Sequence, residues 1–176
     1  MLNNQANPLL DSPAFKLHRA TILIDRLADA YLYENHGIRY APFLVLLMAR
    51  MLGPTSQQAI AANLAVSRSS VTQRVAGLVA SELLVVEPDP TDRRANRVVI
   101  SAAGAELFDR AWSGLNDRED GIEDGIDILA FMTQLDRIIA NALAALGRSD
   151  EATSDEFVSD EPAVSQDAAA SQNDAS

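Results

Sequence analysis

"PTSQQAIAANLAVSRSSVTQRVAGLVASELLVVEPDPTDRRANRVVIS", Pro54 to Ser101, changes its hydrophobic period midway. Thr55-Ser56-Gln57-Gln58 reads as a capping box: Thr55 accepts from the backbone of Gln58, whose side chain reaches back to the Thr55 amide. A short helix through about Leu64 follows. Ala65-Val66-Ser67 is a three-residue connection, and Ser67 caps a helix from Arg68 to about Ser81. Two β-type runs come next, Leu83 to Glu87 and Arg97 to Ser101. The segment between them is rich in proline and arginine, which makes a hairpin with a long tip.

The second helix of the pair has two unlike faces. Val71, Val75, Leu78 and Val79 fall at i, i+4, i+7 and i+8 and form an inward stripe. Ser69, Thr72, Gln73 and Ala76 lie opposite, flanked by Arg68 and Arg74, and no acid occurs between Arg68 and Ser81. Small hydrogen-bonding side chains edged by arginine suit a helix in a DNA major groove. Thr72 and Gln73 can bond base edges, and Arg68 and Arg74 can take phosphates or a guanine. The helix by itself fits a solvated surface equally well. The hairpin behind it decides the matter, because a wing sets arginines beside the helix where they reach the minor groove or the backbone.

Outward from this core, Asp11-Ser12-Pro13 starts a helix over Phe15 to Asn35 with Leu23, Leu27 and Tyr31 on one face, and His36-Gly37 ends it. Tyr40 to Leu52 is apolar nearly all round and belongs inside, with Gly53-Pro54 as its stop. Ser101 caps a further helix carrying Leu107, Phe108, Ala111, Trp112 and Leu115 on one side. Asn116 to Gly125 then breaks the pattern with acids and glycines. A last helix sets Ile128, Phe131, Met132, Leu135, Ile138, Ile139, Ala142, Leu143 and Leu146 on a stripe broad enough to ask for a partner helix. The expected fold class is mainly α with a small β-hairpin, an α+β winged helix-turn-helix with N- and C-terminal dimerisation helices. The expected domains are a helical dimerisation region (12–37 and 104–147), a DNA-binding lobe (38–103) and a disordered acidic tail (148–176).

The net charge of -11 mostly belongs to that tail. Ser149 to Ser176 holds eight of the 25 acids and none of the 14 basic residues, so the body keeps 17 acids and carries only -3. An acidic isoelectric point therefore does not argue against a polyanionic partner. The chain has no cysteine, which excludes disulfides, thiolate metal sites and a cysteine nucleophile. The N-terminus lacks the pattern of a secretory signal, and the apolar run ending at Arg50 is shorter than the roughly 20 residues a bilayer requires. The expectation is a soluble, cytoplasmic protein.

The helix pair, the run from Leu83 to Ser101 and AAGAELFDRAW (Ala102 to Trp112) together resemble the MarR family of bacterial transcription regulators, with Asp92-x-Arg94 similar to that family's wing signature. The resemblance covers roughly Ser12 to Gly147. It implies a homodimer with intertwined first and last helices and recognition helices in successive major grooves of a pseudo-palindromic operator. It also implies that Arg94 enters the minor groove while Asp92 orients the basic side chains of the wing. DNA-contacting residues on this reading are Ser67, Arg68, Ser69, Ser70, Thr72, Gln73, Arg74, Asp92, Arg93, Arg94 and Arg97. Tyr31, Phe108 and Trp112 are candidates for contact with a small aromatic effector, though core packing explains aromatics at helical spacing at least as well. Three positions depart from the family pattern. Ala65 and Glu82 stand where glycine is usual, and Ala102-Ala103 replaces the common helix start. A non-glycine residue in a left-handed cap is costly, so the helix before Glu82 is expected to end differently.

Rival readings find less support. The carboxylates Asp117, Glu119, Asp120, Glu123, Asp124 and Asp127 could bind a metal or act as an acid–base pair, but acids interleaved with glycine more often make a solvated loop. His18 and His36 are too few for a zinc sensor, and no phosphate-binding or nucleophile motif occurs. No cofactor, metal or catalytic residue is expected. The stronger alternative is a winged-helix adaptor that binds protein and not specific DNA, and the retained wing arginines weigh against it.

Overall fold

The computed structural model describes residues 10–92, 94–118 and 120–158. Among the described residues the elements run α1 (Pro13–His36), α2 (Tyr40–Leu52), α3 (Gln57–Leu64), α4 (Arg68–Ala80), β1 (Leu84–Pro88), β2 (Asn96–Ile100), α5 (Ala102–Asn116) and α6 (Ile128–Val158). This is the mainly α fold with a small hairpin that the sequence pattern requires.

Serine caps set most of the helix starts. Ser12 accepts from the Phe15 amide with Pro13 in the first helical position, Ser67 from Ser70 at 3.2 Å, and Ser101 from Gly104 at 2.9 Å. One cap differs from expectation. Ser56, not Thr55, caps α3 by accepting from the Ala59 amide at 3.1 Å. Thr55 is taken by the wing: its amide donates to the Val98 carbonyl at 3.0 Å and its carbonyl accepts from the Val98 amide at 2.7 Å. β2 thereby sits between β1, its antiparallel partner from Leu84↔Ile100 to Pro88↔Asn96, and the residue leading into α3. The root of the wing and the start of the helix pair are one hydrogen-bonded unit.

α2 is apolar on most sides because it lies at the centre. Phe43, Val45, Leu46 and Ala49 are buried in a cluster with Leu32 of α1, Ile60 of α3, Val71, Val75 and Leu78 of α4, Leu84 and Val98 of the hairpin, and Phe108 and Ala111 of α5. Each such large side chain contributes roughly 1.5–3 kcal/mol by leaving water. Val79, expected inward with Val71 and Val75, is 38% exposed. The cluster runs without a break from α1 to α5, within a compact unit that ends at Glu119.

Both departures from glycine keep the left-handed geometry. Ala65, after α3, has φ 52°, and its amide closes on the Ala61 and Ala62 carbonyls. Glu82, after α4, has φ 60°. Helix α4 therefore does not avoid the strained cap, as its sequence had suggested. The reason lies in what Glu82 connects: the Leu83 amide donates back to Leu78 at 2.9 Å, and the Glu82 carbonyl accepts the Ser101 hydroxyl at 2.7 Å. Those bonds, with buried Leu84 just beyond, hold the turn against its local preference. Nearby, Gly104 lets α5 start against the strand: a Cβ there would collide with the Leu83 carbonyl.

The second unit, Asp120 to Ser176, contains α6. Asp127 caps it by accepting from the Ala130 amide at 3.0 Å. The helix continues to Val158, past Ser149 where the sequence reading began a disordered tail; residues 159–176 lie outside the described residues. Ile128–Gly147 is long and apolar enough to cross a bilayer by length and composition, which the shorter run ending at Arg50 is not. Its Gln134, Arg137 and Asn141 nevertheless share one stripe, so the helix is amphipathic.

Replacing Glu82 by glycine relieves an acidic residue held at positive φ. Glu82→Gly is expected to stabilise the protein by about 1 kcal/mol, read as a higher midpoint in thermal or urea unfolding. A fall in stability would show that the Glu82 side chain is needed where it stands.

Candidate nucleic-acid interface

Burial of Val71, Val75 and Leu78 turns the opposite side of α4 outward. Arg68, Ser69, Thr72, Gln73 and Ala76 are all exposed, while Ser70 and Arg74 are half-buried at the edge. At the start of the helix the Ser67 hydroxyl caps Ser70 and lies 3.0 Å from the Ser69 hydroxyl. From Thr55 through Ser81 the chain holds no acid. Among the described residues no carboxylate comes within ion-pair distance of Arg68, Arg74 or Arg94. Their charge is available to an external anion.

Thr72 is less free than its exposure suggests. Its hydroxyl donates to Oε1 of Gln57, on α3, at 2.7 Å and also lies 3.0 Å from the Arg68 carbonyl. Gln57 was read from the sequence only as part of a cap. Its tie to Thr72 depends on the packing angle between two helices, and no spacing rule encodes that.

The wing tip is built on Asp89. Its carboxylate accepts from the Thr91 amide at 2.7 Å, from the Thr91 hydroxyl, and from the Asp92 amide at 3.2 Å. The Thr91 hydroxyl is the largest influence holding the Asp89 carboxyl below the usual carboxylate range, reinforced by the Thr91 amide. Asp92 in turn accepts from the Arg94 amide at 2.9 Å. It therefore orients the backbone of Arg94, where the resemblance implied that it orients basic side chains. Arg94 stands exposed at the tip, and Arg93 lies outside the described residues. Arg97 is paired within the hairpin. It faces Glu87 in register, and its Nε donates to that carboxylate at 2.7 Å.

The three aromatics proposed for an effector fall in different surroundings. Phe108 is 6% exposed and stacks between Phe43 and Trp112, so it is core. Trp112 is 47% exposed at the outer end of that stack. Tyr31 meets the edge of His36, carries Arg118 over its ring at 4.9 Å, and sets its hydroxyl where Gly114 has no side chain. An open cleft of about 430 Å³ lies elsewhere, lined by Asp25, Arg26, Asp29, Ala30, Arg39, Tyr40 and Ala41. Within it Asp29 accepts from the Tyr40 amide and from Arg39, both at 2.8 Å, and the bond from the Tyr40 amide is the main cause that lowers its carboxyl. Burial pushes the Tyr40 phenol up. The acidic run considered for catalysis supplies local ties: Asp117 accepts the Ser113 hydroxyl, Asp120 the Ile122 amide, and Asp127 caps α6.

The MarR family model matches residues 36–95, the span from the end of α1 through the wing tip. That stretch of the chain is similar to the MarR family. Solved MarR-type structures share its fold. CouR from Rhodococcus jostii RHA1, bound to p-coumaroyl-CoA, is 24% identical with a TM-score of 0.68, covering 76% of this chain and 94% of that one. BpsR of Bordetella bronchiseptica, whose DNA binding is regulated by 6-hydroxynicotinic acid, is 21% identical with a TM-score of 0.66 over 73% of this chain and 94% of its own. Apo MarR from E. coli is 21% identical with a TM-score of 0.62 over 73% and 96%. No curated protein sequence matches. In this MarR-type frame α3 and α4 are the helix pair and the β1–β2 hairpin is the wing.

The Asp89 bonds give the wing tip a pH signature. Because the carboxyl is lowered, the order it provides is complete above about pH 4, the ordinary carboxylate value, and is lost as pH falls through the lowered one. Asp89→Ala is expected to speed hydrogen exchange at the Thr91 and Asp92 amides at neutral pH while leaving the unfolding midpoint nearly unchanged. Unaltered exchange at both amides would contradict the role given to Asp89.

Proposed function

We propose that this chain is a DNA-binding transcription regulator, a repressor acting as a homodimer on a pseudo-palindromic operator. The observation that carries the reading is the exposed, acid-free stripe of α4 with Arg68 and Arg74 at its edge and Arg94 on the neighbouring wing. Ser69, Thr72 and Gln73 contact bases in the major groove, Ser67 and Ser70 present the capped helix start to phosphate, and Arg68 and Arg74 hold the backbone. Arg94, on a backbone fixed by Asp92 and Asp89, enters the minor groove. A pre-ordered tip lowers the entropy lost on binding.

Two exposed apolar faces support the dimer. α1 leaves Phe15, Ile22, Leu23 and Leu27 largely in water, and α6 does the same with Phe131, Met132, Ile139, Leu143 and Leu146. Each is covered when two copies pair through residues 12–37 and the last helix, which also accounts for the apolar length of α6 without a bilayer. Relatives of this fold bind p-coumaroyl-CoA or respond to 6-hydroxynicotinic acid, so a small aromatic acid is the effector class we favour. Arg26 and Tyr40 in the α1–α2 cleft, with Tyr31 and Trp112 as aromatic surfaces, are the groups available to it. Such a ligand acts by favouring a spacing of the two α4 helices that misses successive grooves.

The test is a fluorescence-anisotropy titration with the duplex upstream of the protein's own gene and a scrambled control, at several salt concentrations. Arg94→Ala is expected to weaken binding and to reduce the slope of log affinity against log salt by about one per wing engaged, with the dimer intact by sedimentation. Wild-type affinity and slope in the variant would refute the wing contact.

A further inference from the structure

Resting on the DNA-binding reading above, we infer that Gln57 of α3 is a specificity-determining residue, because it fixes what Thr72 offers to a base. A threonine hydroxyl has one hydrogen. At Thr72 that hydrogen faces two protein acceptors, Gln57 Oε1 at 2.7 Å and the Arg68 carbonyl at 3.0 Å. None is left for DNA. An exposed hydroxyl on the outward stripe of α4 would otherwise rotate to suit either a base keto oxygen or a base amino group. Held in this way, Thr72 presents only a lone pair and its methyl group.

The chemistry of the major groove makes that restriction a selection. Guanine O6 and thymine O4 accept, whereas adenine N6 and cytosine N4 donate, and thymine adds a methyl. An acceptor-only Thr72 binds an amino group or packs on the thymine methyl and is repelled by a keto oxygen. Gln57 also keeps amide N–H free, since its bond to Thr72 runs through its carbonyl oxygen, and it is half-buried at the first position of α3 beside the recognition stripe. One inter-helix hydrogen bond thus makes a composite reader from residues 15 apart in sequence. Gln57 is a positioning residue: it acts on base choice through Thr72.

The experiment is selection from a duplex library with a randomised centre, sequenced for the full-length wild type, Gln57→Leu, Thr72→Val, Thr72→Ser and the Gln57→Leu/Thr72→Val double variant. Circular dichroism and unfolding midpoints check the fold of each. Gln57→Leu removes the shorter of the two bonds that hold the Thr72 hydrogen and leaves the 3.0 Å contact with the Arg68 carbonyl, which a keto oxygen in the groove can displace. The expected result is that Gln57→Leu and Thr72→Val relax the same symmetric base positions and leave the others as in wild type, while Thr72→Ser keeps the wild-type motif. The double variant should bind the wild-type site within about twofold of the weaker single variant, as coupled residues do. If Gln57→Leu keeps the wild-type motif, whether or not affinity falls uniformly, the inference is overturned and the DNA-binding reading stands. If the wild type itself selects no motif, both fall.

Discussion

The outward face of α4 is chosen by the burial of Val71, Val75 and Leu78. Those three side chains share one buried cluster with Ile60 and the α2 residues Phe43 and Leu46, and turning α4 by even one position would bring an arginine or threonine into an apolar core. A buried cation without a partner is far more costly than the packing it would replace. The same contact fixes the short turn at Ala65, which accepts a left-handed backbone because the helices on both sides are held by the core. The wing follows from it too. Leu84 and Val98 enter the same cluster, and Val98 is locked to Thr55 at the head of α3. Helix α4, turn and wing are therefore positioned by one hydrophobic cluster, and the polar surface follows from its geometry.

Charge is distributed to match. The acids of the lobe are absent from Thr55 to Ser81, and those in the wing are spent internally: Asp89 and Asp92 on tip amides, Glu87 on Arg97. Carboxylates that accept hydrogen bonds from the chain's own donors shape the tip that carries Arg94. An acidic protein can thus expose a basic face, since most of its net charge resides beyond Ser149.

Much of this was legible in the sequence because caps and periodicity are local. Ser12, Ser67 and Ser101 mark helix starts, Gly37 and Gly53 follow helix ends, and the period of Val71, Val75 and Leu78 gives the buried face. What escaped was set by non-local geometry. Thr55 looked like a cap until the returning strand claimed its backbone. The partner of Arg97 was not legible either, because only the register of the hairpin places it opposite Glu87. Glu82 was expected to avoid a conformation that the tertiary bonds of Leu83 and Ser101 impose on it. Gln57 had no signature at all, because its partner is on another helix.

The central claim is that the acid-free stripe of α4 lies against DNA, and the most direct measurement is the affinity of Ala76→Glu for the operator duplex. Ala76 is exposed in the middle of that stripe, so glutamate there leaves the core untouched and places a negative charge among the phosphates. The account predicts at least about a tenfold loss of binding, from like-charge repulsion in the groove, with unchanged unfolding midpoint and dimerisation. Undiminished affinity in the folded dimer would mean that another surface meets the DNA.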